Sequence, residues 1–493
     1  MIYDVIIIGA GVTGCSIARM LSKYNLKIAI LEKEAEIASG TSKANSGVVH
    51  AGYASQREYT KRYLCIKGNK LYTQAAKELN FPFKRIGSFV VALEDIQIKE
   101  LEEERKKGIE DGIPGLELIL DKDKIKEMEP NLTDDVVGVL HASSAGLVSP
   151  YELTFALAEN ATVNGVKFFR NHEVVKIKHQ NYIFTVRTHQ GEFKTRNLIN
   201  AAGLYAAKIS SMLGLDYFSI IPRKGEYILF DRNAIHLNKI LFPIPTKISK
   251  GILVCPTLHG NTFAGPNAQN ITDPEDISTT MAGLKEILEG GRKLVPSLPL
   301  RSSIRNFAGL RAVPALPEKY DFIIDNTDVY GFINVAGILS PGLTATFAIA
   351  EKVVEFLELL GVKLAIKEDY NPYRPKPERF KDFTNQQRDQ KIQEDPRWGR
   401  IICRCETIPE MEIINAIHAP VGARTVDGVK FRCRPGMGRC QGGFCRPRVI
   451  EILSRELKIP YEEVTKRGED TNILVGRTKD IILKNISGGA NKR

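Results

Sequence analysis

MIYDVIIIGAGVTG (residues 1–14) decides the fold. Its apolar run YDVIII (3–8), closed by glycine, reads as a buried parallel strand. Gly9, Gly11 and Gly14 then form G-x-G-x-x-G, and Val12, Cys15, Ile17, Ala18 and Leu21 recur at helical spacing over 12–24. A second strand, KIAIL (27–31), ends at Glu32, 18 residues after Gly14. In such a unit the first glycine permits a tight turn. The second lets the backbone approach a pyrophosphate, and the third lets helix and strand close up. The helix N-terminus supplies N–H groups and partial positive charge for phosphates. Glu32 is placed to accept hydrogen bonds from both ribose hydroxyls and to repel a 2′-phosphate, which argues against NADP. The motif alone leaves FAD and NAD both open.

The same strand–turn–helix theme returns far along the chain. NLINAAG (197–203) is a buried strand running into a glycine turn, and FINVAGILSPGLTATFAIAEKVVEFL (332–357) adds another strand, turn and helix. Segments between them, 82–93, 217–230 and 252–265, alternate apolar and polar residues as antiparallel sheet does. The expected class is therefore α/β: a Rossmann-like nucleotide-binding domain interleaved with an antiparallel-sheet substrate domain. Nucleotide-binding parts fall at about 1–80, 145–215 and 325–365, and substrate-domain parts at about 81–144 and 216–324, within 1–365. Residues 366–398, polar and carrying Pro372, Pro375 and Pro377, read as a linker. A small helical Cys-rich module follows at 399–465, and then a tail, 466–493, whose ending SGGANKR reads as disordered. A length of 493 residues suits about two to four domains.

Composition excludes several classes. Apolar content is 43% and charged content 26%, ordinary for a globular chain. No apolar run reaches the length of a spanning helix, and the chain enters its first strand at Ile2 without a secretory pattern. A cytoplasmic location is expected, with or without peripheral attachment at a membrane. Eight cysteines there are thiols or metal ligands more often than disulfides. The net charge of +11 is uneven: residues 366–493 hold 26 Lys/Arg against 18 Asp/Glu. Arg424, Lys430, Arg432, Arg434, Arg439, Arg446 and Arg448 crowd the last cysteines. Aromatic residues are too sparse among them for a nucleic-acid surface. The charge suits an anionic cluster or an acidic protein partner.

The cysteines themselves lie in IICRCET and GMGRCQGGFC. Cys403 and Cys405 form C-x-C, a 34-residue gap follows, and Cys440 and Cys445 form C-x4-C. The helical stretch IPEMEIINAIHAPVGA between them implies a small helical fold that brings the pairs together. From spacing alone zinc and a [2Fe-2S] cluster both remain open, since each accepts four thiolates. C-x-C is unusual for a zinc knuckle, and the glycine-rich run offers N–H groups that bond cluster sulfurs. Cys433 reads as a bystander thiol, and Cys15, Cys65 and Cys255 as small core residues.

EKEAEIASGTSKANSGVVHAGY (32–53), NAAGLYA (200–206) and GILSPGLTATFAIA (337–350) resemble the FAD segments of D-amino-acid-oxidase-like flavoproteins. With KGEYILF, PTLHGNTFAGPNA and SPGLT, residues 1–360 are similar to FAD-dependent glycerol-3-phosphate dehydrogenases and oxidases and to L-2-hydroxyglutarate dehydrogenases. The run ICRCE…DGVKFRCRPGMGRCQGGFCRPRV resembles the bacterioferritin-associated-ferredoxin-like [2Fe-2S] domain. The resemblance implies FAD, contacted by Gly9, Gly11, Val12, Gly14, Glu32, Thr41, Ser42, Asn45, Gly47, Val174, Gly203, Gly337, Leu339 and Thr344. It implies His50 as the base for a hydroxyl proton, and Ser46, Lys250, Arg311 and Ser340 as substrate contacts, with Tyr227 and His259 as second-tier candidates. It also implies a [2Fe-2S] cluster on Cys403, Cys405, Cys440 and Cys445.

Two departures separate the chain from the membrane-type branch of that group. Tyr227 in KGEY replaces a histidine, and AGYAS (51–55) replaces a Gly-Leu-Arg-Tyr-like run. The expected activity is oxidation of glycerol 3-phosphate to dihydroxyacetone phosphate. A two-electron cofactor joined to a one-electron cluster implies an onward acceptor, a second redox subunit or quinone, within a hetero- or homo-oligomer. The alternatives are a 2-hydroxy-acid or amino-acid dehydrogenase, and an electron-transfer subunit without its own substrate.

Overall fold

The computed structural model describes residues 1–244, 251–316, 320–476, 478–480 and 482. It divides into two compact units: Met1–Lys33 with Ile37–Pro377, and Glu34–Glu36 with the chain from Glu378 onward.

In the first unit, five strands run parallel in the order Lys167–Phe169, Ile28–Leu31, Ile2–Ile8, Gly191–Asn200 and Phe332–Ala336. All but the first are near-continuous Ile, Val, Leu and Phe toward the centre of the sheet, because both faces are covered. The helix Val12–Leu21 buries Val12, Cys15, Ile17, Ala18 and Leu21. It packs against the helices Pro150–Val163 and Gly342–Leu359, which come from the late segments of the chain. A hairpin, Val174–Gln180 and Ile183–Thr188, adds antiparallel strands to the first half of Gly191–Asn200. Its two-residue turn, Asn181–Tyr182, has φ of 51° and 59°, as a hairpin turn matching strand twist requires.

A second sheet of nine strands, nearly all antiparallel, is woven between these pieces. Its longest pair is Ser219–Phe230 with Ser303–Ala315, in a register that sets Arg223 opposite Arg311 and Gly225 opposite Gly309. Gly309 has no room for a side chain: a Cβ there would lie 1.9 Å from Ala44 O, so this strand runs hard against the loop after the nucleotide-binding unit. The stretch 252–265, expected as one alternating segment, is two short paired strands, Val254–Pro256 and Thr262–Ala264.

In the second unit the helices Glu410–His418, Val426–Cys433 and Arg446–Leu457 enclose Ile413, Ile417, Val429, Val449 and Leu453. The helical reading of 408–423 holds only for its first part, because Pro420 and Gly422 break the run before Val426.

The stretch 366–398, read as a linker, is ordered in two parts. Asn160 and Asn164 donate to the Asn371 carbonyl, and Arg374 pairs with Glu159 at 2.6 Å, so this part belongs to the first unit. The remainder belongs to the second. It contains a helix, Asn385–Glu394, with a reciprocal Thr384–Gln387 capping box, and the buried Trp398 stacks on Phe380. Polar composition hid these anchors, which are side-chain amides and one aromatic pair. Of the tail, Asn472 bridges back to Thr465, whereas SGGANKR lies outside the described residues. Among the described residues no helix is long and apolar enough to cross a membrane.

Candidate functional site

The N-terminal cradle is built by contact. Gly9 has φ +103°, and a Cβ on it would stand 2.5 Å from Ala201 O; one on Gly14 would stand 2.0 Å from Gly9 O. Gly11 differs, since a Cβ there would meet only Ser42 Oγ, at 3.1 Å. The Val12 N–H donates to that hydroxyl at 2.9 Å, and the N-cap residue itself, Gly11, has no side chain to cap the helix that follows. Buried Glu32 accepts from the Ala10 N–H at 2.7 Å, which fixes its carboxylate at the strand end. A helix start at an open glycine, with a carboxylate fixed at the next strand end, fits a pyrophosphate and a ribose.

The loop 41–47 organises itself. Asn45 Nδ2 donates to the carbonyls of Thr41 and Ser42, and its Oδ1 accepts from the Gly47 N–H at 2.9 Å. Thr41 Oγ1 donates to Leu310 O at 2.6 Å, tying this loop to the strand that carries Arg311. Thr41 and Asn45 thus shape the loop. Ser46 is half-buried and makes no side-chain hydrogen bond among the described residues. Val174 is buried in the apolar core with Ile6, Ile8 and Val186, so its side chain is taken up by packing. Gly203, φ +57°, opens the short turn Gly203–Tyr205 with open space where a Cβ would stand.

His50 is held from several sides. Its N–H donates to Thr344 Oγ1 at 2.9 Å, its carbonyl accepts from Asn69 Nδ2 at 2.9 Å, and its Nε2 lies 3.4 Å from Ser340 Oγ. Gly337, at φ +62°, makes the turn that brings Leu339, Ser340 and the helix Gly342–Leu359 to this point. The imidazole borders a pocket lined by Tyr53, Cys65, Ser88, Phe242 and Pro341. Burial, only partly offset by a bond to Ser88, pushes the Tyr53 hydroxyl up to about 12. Asn69 escaped the sequence reading; the signal is a buried amide within the helix Thr60–Leu79, where Arg85 Nη1 holds its Oδ1 at 3.0 Å.

Arg311 is boxed by main-chain carbonyls. Its Nη2 donates to Asn267 O at 2.6 Å and Lys224 O at 3.3 Å, and its Nε to Arg223 O at 3.5 Å. Burial lowers its pKa; Tyr227 counters this and Arg223 adds to it. Its Nη1 has no hydrogen-bond partner among the described residues. The guanidinium occupies the space over Gly225, a role that KGEY does not announce. Tyr227 is buried and stacked on Phe307, with ring centroids 4.6 Å apart, and burial carries its hydroxyl up to about 12. His259 Nε2 lies 3.1 Å from Glu152 Oε2 on the helix Pro150–Val163. Lys250 lies outside the described residues.

In the second unit the four cysteine sulfurs fall in two pairs. Cys405 and Cys440 are 3.7 Å apart, and the Cys445 thiol donates to Cys403. With that bond, and with the N–H groups of Gly436 and Glu406 on its sulfur, Cys403 is drawn down to about 6, while Cys445 is raised. The N–H groups of Phe444, Gly442 and Gly443 point at Cys440 and lower it. Gly438 is required, because a Cβ there would lie 2.3 Å from Cys405 Cβ. Two cysteine pairs beneath a set of N–H donors suit the ligand set of a two-iron cluster. Cys433 stands apart, buried, with its thiol on Val429 O and its pKa raised by burial.

The FAD dependent oxidoreductase family model matches residues 4–356, and the BFD-like [2Fe-2S] binding domain model matches residues 401–455. The chain is 47% identical over 479 residues to a glycerol 3-phosphate dehydrogenase of Caloramator mitchellensis, covering 97% of this chain and 99% of that one. It is 37% identical over 379 residues to a glycerol 3-phosphate oxidase of Mycoplasma genitalium, covering 75% and 97%. The solved structure of dithionite-reduced L-alpha-glycerophosphate oxidase from Mycoplasma pneumoniae, with FAD bound, matches with a TM-score of 0.72 at 32% identity, over 76% of this chain and 98% of that one. The open cradle at Gly11 and the paired thiols agree with both family matches. The chain therefore belongs to the FAD-dependent oxidoreductase family and carries a BFD-like [2Fe-2S] domain, with FAD and a [2Fe-2S] cluster as its cofactors.

Proposed function

We propose that the chain oxidises sn-glycerol 3-phosphate to dihydroxyacetone phosphate and delivers the electrons through its cluster to a partner protein or quinone. The observation that carries this reading is the His50–Ser340 pair, at 3.4 Å, in a chain whose likeness to a glycerol 3-phosphate dehydrogenase runs through both units. His50 Nε2 takes the proton of the substrate's secondary hydroxyl, with the Ser340 hydroxyl beside it to orient that oxygen. The Thr344 hydroxyl and the Asn69 amide hold the His50 main chain, so the imidazole keeps its aim. Arg311, fixed by three carbonyls, presents its remaining N–H groups to the phosphate, and Lys250 adds a second positive charge. FAD, when bound, supplies the acceptor for the hydride. The [2Fe-2S] cluster, when bound, supplies a one-electron relay. The enzyme works in the cytoplasm or peripherally at a membrane, as part of an oligomer.

An anaerobic titration of the purified holoenzyme tests this. sn-Glycerol 3-phosphate is expected to bleach the flavin band, while L-2-hydroxyglutarate and proline leave it. Bleaching by L-2-hydroxyglutarate alone would replace the substrate. Bleaching only by a partner protein would make the chain an electron-transfer subunit. Peroxide production that continues undiminished after cluster loss would remove the relay.

A further inference from the structure

The longest strand pair of the substrate-domain sheet sets two arginines directly opposite each other, Arg223 on Ser219–Phe230 and Arg311 on Ser303–Ala315. Like charges in facing positions of a sheet repel and destabilise the pair. A carboxylate between them is the ordinary remedy, yet neither guanidinium has an acidic partner among the described residues. Arg223 Nε donates to Asn270 Oδ1 at 2.7 Å and its Nη1 to the Tyr320 hydroxyl at 2.8 Å, while the bonds of Arg311 end on main-chain carbonyls. All of these acceptors are neutral, so two positive charges stand together without compensation. Arg223 adds to the burial that lowers the Arg311 pKa, so each charge is felt by the other. Each arginine also keeps one amino group in reserve. Arg223 Nη2 and Arg311 Nη1 make no hydrogen bond among the described residues. Both residues are half-buried, open enough to admit a ligand and sheltered enough that water screens their repulsion only in part.

We propose that Arg223 joins Arg311 in binding the phosphate of the substrate, and that this facing pair selects a phosphate dianion over a monocarboxylate. This rests on the reading that the chain oxidises sn-glycerol 3-phosphate. A phosphate monoester has a second pKa of about 6, so it carries close to two negative charges at neutral pH. It matches two guanidiniums in charge, and its terminal oxygens accept from both arginines at once. The carboxylate of a 2-hydroxy acid or an amino acid brings one charge and leaves the second arginine unbalanced. Selection thus comes from repulsion as well as attraction, because the dianion relieves a cost that the ligand-free pair bears. Asn270 and Tyr320 are positioning residues. The Asn270 amide oxygen and the Tyr320 hydroxyl hold Arg223, and the Tyr320 ring centroid lies 5.7 Å from its guanidinium carbon.

Calorimetric titration of the full holoenzyme at about pH 8 tests this with two probes, methyl phosphate, a dianion there, and dimethyl phosphate, a monoanion. The unaltered enzyme is expected to bind methyl phosphate at least about tenfold more tightly than dimethyl phosphate. Arg223→Gln is expected to bind methyl phosphate about 10- to 100-fold more weakly, the loss of a charge-assisted hydrogen bond, and to bind dimethyl phosphate nearly as before. Arg223→Lys, which keeps the charge without the fork, should fall between the two. In steady-state kinetics with an artificial acceptor, Arg223→Gln should raise KM for sn-glycerol 3-phosphate by a similar factor, with a far smaller change in kcat. With the repulsion relieved, ligand-free Arg223→Gln should melt no lower than the unaltered protein, whereas loss of a purely structural arginine would lower the melting temperature. Unchanged affinity for methyl phosphate, an equal loss for both probes, or a loss that Arg223→Lys does not restore even in part would each overturn the proposal. If the probes behave as expected while sn-glycerol 3-phosphate fails to bleach the flavin, only the substrate reading falls. If sn-glycerol 3-phosphate bleaches the flavin while Arg223→Gln alters neither probe, only the role of Arg223 falls.

Discussion

Gly225→Ala isolates the placement of Arg311 from its chemistry. A Cβ at this position would lie 2.9 Å from Arg311 Nη2, 2.7 Å from Pro266 Cβ and 3.2 Å from Asn267 O. The backbone there is outside the left-handed region, so the effect is one of space, not strain. Restoring an ordinary contact moves the guanidinium outward by at least about half an ångström. That takes the 3.3 Å bond to Lys224 O past hydrogen-bond length and stretches the 2.6 Å bond to Asn267 O. A hydrogen bond from a charged donor is worth roughly 1.5–3 kcal/mol, so losing one and weakening another costs on the order of 2–3 kcal/mol of positioning. If that cost falls on substrate binding, KM for sn-glycerol 3-phosphate rises roughly 30- to 160-fold. FAD content should be unchanged, because Gly225 lies on the substrate-domain sheet. Steady-state kinetics with an artificial electron acceptor, together with the flavin spectrum, read both quantities. Arg311→Ala should add little on top of Gly225→Ala, since both act on one interaction. A KM that stays within about twofold of wild type, with Arg311→Ala still harmful, would refute the idea that these carbonyls aim the guanidinium.

Three further outcomes follow from the same contacts. His50→Asn should keep FAD but slow anaerobic flavin bleaching by the substrate about 10²- to 10⁴-fold, the range of a lost general base, as read by stopped-flow absorbance. Gly438→Ala should abolish the cluster's visible and EPR signals while leaving the flavin band, because the new methyl would overlap Cys405 Cβ; a full cluster signal would contradict the packing. Asp325 is mostly buried, and burial raises its carboxyl pKa, so the ionised form costs stability at neutral pH and the cost vanishes as pH falls through the raised value to the usual carboxylate range. Asp325→Asn, which keeps an acceptor for the Tyr217 hydroxyl at 2.5 Å, should therefore melt higher than wild type at neutral pH and lose that advantage in acid.

Much of the site was legible because it is written in short, local patterns. Gly9, Gly11, Gly14 and Glu32 belong to one strand–helix–strand unit, where spacing alone sets geometry. The paired cysteines announce four thiolates, and the family resemblance named His50, Arg311 and Ser340 as candidates. What stayed hidden depends on partners far away in sequence. Asn69 matters because its amide reaches the His50 carbonyl, and Gly225 because the guanidinium of Arg311 crosses it from the neighbouring strand. Thr41 and Asn45 carry polar groups suited to a ligand, yet their bonds go to Leu310 and to their own loop. The stretch 366–398 reads as a linker by its composition, yet a few side-chain amides and one aromatic stack anchor it.

Periodicity and motif spacing, which act over a dozen residues, determined by themselves that this chain has a nucleotide-binding α/β unit, an interleaved sheet and a four-cysteine module. The tertiary structure alone decided that the four sulfurs meet as two pairs, that Ser340 comes within reach of His50, and that Phe444 is left in water. Local patterns are set by backbone sterics and burial along one element, whereas these juxtapositions arise only when strands and helices separated by up to 290 residues pack together.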